Sequence, residues 1–205
     1  MKQLFSYLLM LAVITLPFAA GAATDKGTQA MEAKLRKDIQ AHAGMSAKVK
    51  AFAAKVLVPL SSQAVFVKAV EAQNAKKVPL AQIQDADKKW SAAESKLPVQ
   101  SELQENACGK ELDKVVEGNQ ALNESFVMDD QGANVCMSGL TSDYWQGDEP
   151  KWQKSFAGGK GSVDAGKVAF DKSANQNLQQ VSLPILGKNG KVIGAVTWGV
   201  VVDKL

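Results

Sequence analysis

Apolar residues between Thr28 and Val56 fall at Met31, Leu35, Ile39, Met45, Val49, Phe52 and Val56, with His42 in the turn that would otherwise be empty. The steps average close to 3.6, the period of one helical face. They predict one long helix of about 29 residues, roughly 43 Å in length, bent at Gly44 and ended by Pro59. Leu35, Ile39, Val49 and Phe52 then offer a stripe with two uses: packing along a sheet, or pairing with a second copy as a homodimer. His42, a lone histidine within that stripe, reads as a packed side chain with one hydrogen bond. Ser61-Ser62 are placed to cap a segment running to about Ala75. Pro79 opens a helix carrying Leu80, Ile83 and Trp90, and Pro98 precedes one carrying Leu103, Cys108, Leu112 and Val115. Residues 24–118 therefore read as a helical region.

The period changes to two after Asn119. Phe126-Val127-Met128, the turn Asp129-Asp130-Gln131-Gly132, and Ala133 to Met137 predict a hairpin, because Asp and Gly supply the turn conformations that let two apolar runs meet. Ser138 to Phe156 is polar and aromatic, with Asp148 ahead of Glu149-Pro150 as the expected cap of a short helix. Gly158-Gly159-Lys160-Gly161 is a loop without the spacing of a phosphate-binding P-loop. Lys167 to Asp171, Gln179 to Leu186 and Lys191 to Val202 complete a set of five strands, the last two joined at Asn189-Gly190. Residues 119–205 are the sheet portion, expected to form one domain with the helices.

Composition narrows the chemistry more than it does the fold. The 205 residues are 46% hydrophobic and 22% charged, with 24 Lys plus Arg against 21 Asp plus Glu. A balance this near zero gives no reason to expect nucleic acid. One histidine, one arginine (Arg36) and two cysteines leave no set from which a catalytic triad, a histidine-rich metal site or a CxxC pair could be built. No metal or cofactor is expected, and the chain does not read as an enzyme.

Lys2, the apolar run Leu4 to Phe18, and Ala19-Ala20-Gly21-Ala22-Ala23 have the form of a signal peptide over residues 1–23, cleaved after Ala22 or Ala23. The run is shorter than the roughly 20 residues of a spanning helix, so a periplasmic or secreted location is expected. In an oxidising compartment Cys108 and Cys136 can persist as a disulfide; the other reading is two separate buried thiols.

The order long helix, hairpin, short helix and three strands resembles the Cache family of extracytoplasmic sensor domains, also called PDC domains for their PAS-like sheet. Three motifs carry the resemblance: Glu124 to Gly132, Thr141 to Glu149, and Val181-Ser182-Leu183-Pro184-Ile185 leading to Val192-Ile193-Gly194-Ala195-Val196. It implies an α+β fold with helices packed on a five-stranded antiparallel sheet, and a periplasmic module that binds a small molecule. The sequence has no second membrane segment and no kinase, methyl-accepting or cyclase region, so signalling is expected to need a membrane-bound partner. The competing reading is a structural or interaction module without a ligand.

In similar Cache domains the segment after the first hairpin forms one wall of the pocket. Here that segment places Tyr144, Trp145 and Trp152 beside Asp143, Asp148 and Glu149, a mixture able to hold an ammonium group by ring faces and carboxylates. The same residues also make sense as a core-capping loop with solvated acids. Asp171 and Thr197 are expected on the opposite wall, with strand alternation putting either Val196, Trp198 and Val200 or Ala195, Thr197 and Gly199 toward the ligand. Family pockets for amino acids commonly use an arginine for the carboxylate. Arg36 lies outside the motifs, which moves the expectation to an amine, a polyol or a neutral metabolite.

Overall fold

The computed structural model describes residues 25–171 and 175–205; the signal peptide expected over residues 1–23 lies outside them. The described residues begin with α1 (Lys26–Ala41), α2 (Ala47–Phe52) and α3 (Val58–Leu60), followed by α4 (Ala64–Ala75), α5 (Leu80–Ser91), α6 (Pro98–Glu105) and α7 (Ala107–Glu117). Strands β1 (Leu122–Met128) and β2 (Asn134–Met137) come next, then α8 (Pro150–Phe156), β3 (Asp164–Ala165), β4 (Ala169–Asp171), β5 (Gln176–Leu186) and β6 (Val192–Val201). The result is an α+β fold with helices packed on an antiparallel sheet.

The single long helix expected from the apolar period is two helices. The backbone of His42 is extended, and Ser46 accepts the amide of Val49 at 3.3 Å to start α2 afresh. Pro59 does not end the second helix. A π-helical turn over Ala53–Leu57 leads into α3, which holds Pro59 in its first turn; a wider turn just ahead accommodates a ring that cannot join an α-helical ladder. His42 is half-buried, and its Nδ1 accepts the Gly44 amide at 3.1 Å. Ser61 and Ser62 do not cap α4, whose N-cap is Gln63 without a side-chain bond. Ser62 instead donates to Glu32 on α1 at 3.0 Å.

Pro79 and Pro98 open α5 and α6 as expected. The helix expected after Pro98 is split at Asn106, which ends α6 and caps α7 by accepting the Gly109 amide at 2.8 Å. A Cβ on Gly109 would run into the Gln104 carbonyl, so the tight corner requires glycine.

Strand order is β2-β1-β6-β5-β3, with β4 also paired to β5. Among the described residues six strands thus stand where five were expected, because the run ending at Asp171 pairs only from Ala169 onward, while Asp164 and Ala165 pair separately with Ser182 and Val181. Asn189 and Gly190, both at positive φ, form the β5–β6 turn.

Alternation divides the sheet cleanly. Val127, Val181, Leu183, Val196, Trp198 and Val200 join one core with Leu35, Ile39, Val49, Phe66, Val70 and Leu112 of the helices. The stripe on α1 and α2 is therefore used within the chain, with Leu35, Ile39 and Val49 fully buried, and it is not available as a dimer face. Trp198 meets Phe66 edge-on at 6.3 Å. Cys108 of α7 and Cys136 of β2 are disulfide-bonded, tying the helical layer to the sheet. The other face carries Phe126, Met128, Met137 and Ala195, packed under Trp90, Tyr144 and Trp152. Among the described residues no single helix is long and apolar enough to cross a membrane.

Candidate ligand-binding site

Phe126 is opposite Thr197 and Thr197 is opposite Ser182, so these three share the face that α8 covers, together with Glu124, Gly199 and Gln180. Thr197 is fully buried, and its hydroxyl bonds that of Ser182 at 2.9 Å. The face then has two halves. Over β1, β2 and the near end of β6 it is filled by aromatic rings. Over β5, β3 and β4 it is an open groove.

The filled half accounts for most of the residues singled out after the first hairpin. Tyr144 lies against Trp90 with ring centroids 5.6 Å apart. Its hydroxyl pKa is pushed up to about 12, first by burial and then by the negative charges of Asp129 and Glu102. Trp145 donates from Nε1 to the Gln131 carbonyl at 2.8 Å, and Trp152 donates to the Asp129 carbonyl at 3.0 Å while stacking on Phe156. Asp143 accepts from Ser142 at 2.7 Å and sits at the α5 edge beside Ser91. Asp87 of α5 had no sequence signal: its Oδ1 accepts the amides of Tyr144 and Trp145 at 2.8 and 2.9 Å and fixes the segment. Asp148 is exposed and does not cap α8; Glu149 occupies the N-cap position, without a side-chain bond to the helix.

The groove runs in two stretches joined at Gly166 and Gln180. The narrower, about 170 Å³, lies between Glu149, Pro150 and Lys151 on one side and Asp164 and Ser182 on the other. The wider, about 370 Å³, is bounded by Glu124, Lys167, Ala169, Phe170, Asp171 and Leu178. Only the wider stretch reaches the volume of a small-metabolite pocket. Lys151 is held by Glu149 at 2.9 Å and Gln146 at 3.0 Å, with its ammonium 5.3 Å from the Phe126 ring centre. Lys154 bridges to Asp164 at 3.0 Å. The Glu124 carboxylate makes no ion pair among the described residues, and its stem lies across Gly199, where a Cβ would come within 2.7 Å of Glu124 Cγ. Glycine at that position lets the acid lie along the groove floor.

Of the residues expected to bind a ligand, Asp171 lines the groove and Thr197 supports its floor through Ser182. Asp143, Tyr144, Trp145 and Trp152 are brought together in the neighbouring half. Glu124, Gln180 and Ser182 were missed as site residues. A signal for the last two was present: they alternate with Val181 and Leu183, a polar face on an otherwise apolar strand. Among the described residues no group of three or more His, Cys, Asp or Glu side chains is placed to hold a metal ion.

No protein-family model matches the sequence, and no curated protein matches it. Its structural neighbours are ligand-binding sensor domains. The sensor domain of the Vibrio cholerae histidine kinase DctB is similar with a TM-score of 0.43 and 17% identity, over 86% of this chain and 58% of that one. The sensory domain of the Campylobacter jejuni chemoreceptor Tlp3 with isoleucine bound gives 0.36 and 15%, over 89% and 65%. The ligand-binding domain of the Pseudomonas aeruginosa amino acid chemoreceptor PctC in complex with GABA gives 0.38 and 10%, over 68% and 58%. The chain spans 58% to 65% of the length of these three structures.

Proposed function

We propose that the protein is an exported sensor module that binds a small molecule in the groove on the α8 face of its sheet and acts through a membrane-bound partner. The observation that carries this reading is the groove itself, with polar side chains on its floor in a sheet whose other face is closed by a continuous apolar core. Of the three ligand classes compatible with the sequence, an amine fits best. Glu124, without an ion pair among the described residues, borders the wider stretch, and a carboxylate with a charged partner forms the stronger class of hydrogen bond. Gln180 and Ser182 supply neutral hydrogen-bonding groups at the junction. Tyr144 and Trp152 act as the packed wall behind the groove, and Trp145 and Asp143 set the course of that wall. His42, the one histidine of the sequence, lies at the α1–α2 break, where its ring accepts the Gly44 amide.

A second reading, an interaction module without ligand, is favoured by the rings that already fill half of the α8 face. Thermal melts of the mature protein with a panel of amines, polyols and neutral metabolites separate the two, because a ligand bound only by the folded state raises Tm. At least one amine should raise Tm in the wild type and not in Glu124→Gln. No shift with any of the three classes would leave the interaction module standing.

A further inference from the structure

We propose that the end of the sheet carrying the β1–β2 and β5–β6 turns docks on an anionic lipid surface through five exposed lysines. β1 finishes at Met128 opposite Ala195, close to where β6 starts, so both turns lie at one end. Two helices are fastened there. α1 starts against the β5–β6 turn, where Asn189 and Gly190 donate their amides to the side chains of Asp25 and Thr28 at 3.0 and 3.2 Å. Asn74, near the end of α4, donates to the Ile193 carbonyl at 2.8 Å and accepts the Asp130 amide at 3.2 Å, and Gln131 donates to the Val78 carbonyl at 2.8 Å. These bonds gather Lys26 of α1, Lys76 and Lys77 at the end of α4, and Lys188 and Lys191 of the β5–β6 turn, all of them exposed.

None of the five makes an ion pair among the described residues. The exposed acids of this end are Asp25, Asp130 and Asp148, the last next to Gly147, which touches Gly132 of the β1–β2 turn. Asp25 is engaged in capping α1. The end is therefore positive in a chain whose charges nearly balance.

Lys77 adds an observation of a different kind. It follows the C-cap of α4 at φ 49°, the left-handed conformation in which helix ends usually place glycine. A side chain with a Cβ gives up stability there, and what the protein keeps in return is a charge at the rim of the cluster. Three residues on, Leu80 opens α5 with 43% of its surface exposed. Ammonium groups around an exposed leucine suit the boundary of a bilayer, the charges meeting anionic headgroups and the leucine reaching the acyl region. Because the lysines come from three separate elements and form no groove, they match a fluid surface that needs no complementary shape, which selects a bilayer over an acidic protein. The binding groove takes no part in this contact.

Co-sedimentation of the mature protein with vesicles tests the surface, using phosphatidylcholine alone and an equal mixture with phosphatidylglycerol. Wild type should bind the mixed vesicles and not the neutral ones, and should let go at high salt, where exposed charges are screened. Lys188→Gln with Lys191→Gln should weaken binding at least about tenfold, since each lysine near an anionic bilayer strengthens it roughly fivefold. Lys77→Gly should also weaken binding while Tm stays at or above the wild-type value, because glycine relieves the positive φ; a purely structural lysine would not separate the two readouts. Lys48→Gln with Lys204→Gln, beyond the other end of β6 where Lys48 bonds the Leu205 carbonyl, should bind as wild type does, and so should Glu124→Gln, which keeps this test separate from that of the groove. No binding to mixed vesicles, equal binding to neutral ones, turn-end variants that bind normally, or an equal loss in the Lys48 and Lys204 variant would each overturn the proposal.

Discussion

Asp129 opens the β1–β2 turn with its side chain 2% exposed, and a single oxygen, Oδ1, accepts the amides of Gln131 at 2.8 Å and Ala133 at 2.9 Å. Burial raises its pKa, helped by the nearby Asp130 charge and opposed by the backbone amides. A carboxyl whose folded pKa lies above its unfolded value of 3.8 favours folding at low pH, and that contribution is lost as pH rises through the raised pKa. Asn at this position keeps the Oδ1 acceptor and removes the buried charge. The stability of Asp129→Asn relative to wild type should therefore improve in urea denaturation series as pH rises above the unfolded value of 3.8, levelling off once pH passes the raised pKa. Parallel curves for the two proteins would show that the carboxylate is not ionising against burial. At this scale the turn was legible, because Asp and Gly in a four-residue gap have few other uses. The groove residue Glu124 was not: an acid early in a strand looks like any solvated residue until Gly199 is seen beneath it.

The disulfide acts at the scale of elements, because Cys108 is in α7 and Cys136 in β2, 28 residues apart in sequence. Closing a loop of that length stabilises the folded state by about 3 to 4 kcal/mol through the chain entropy of the unfolded state. Cys108→Ala with Cys136→Ala should lose that amount in chemical denaturation, and the denatured, unreduced wild type should expose no reactive thiol. An unchanged midpoint would mean that the bridge does not restrain the helical layer. The pairing was one of two readings that cysteine number and the expected export signal allowed, whereas the breaks in the helices did not follow from anything periodic. Met45 and Val49 continue the stripe of Leu35 and Ile39 across the capped break at Ser46, so the apolar period runs on where the backbone stops. Asn106 hides the α6–α7 corner in the same way, since the caps that divide a helix are single polar residues within an apolar repeat.

At the scale of the molecule, one sheet separates two environments: a closed apolar core under the helices and a half-open polar groove beside α8. The α+β architecture was readable from the change of period after Asn119. The position of the groove depends instead on which half of one face the rings of Trp90, Tyr144 and Trp152 fill, and that is decided by contacts between residues more than 50 positions apart, such as Asp87 with Trp145. The binding claim is tested most directly by titrating isotopically labelled protein with the amine that most raises Tm and following backbone amide NMR shifts. Perturbations should cluster at Glu124, Gly166, Gln180 and Ser182, with α1 and the disulfide region unmoved. Shifts confined to the Asp143–Trp145 segment or to the helical face, or no shifts at all, would contradict the groove as the binding site.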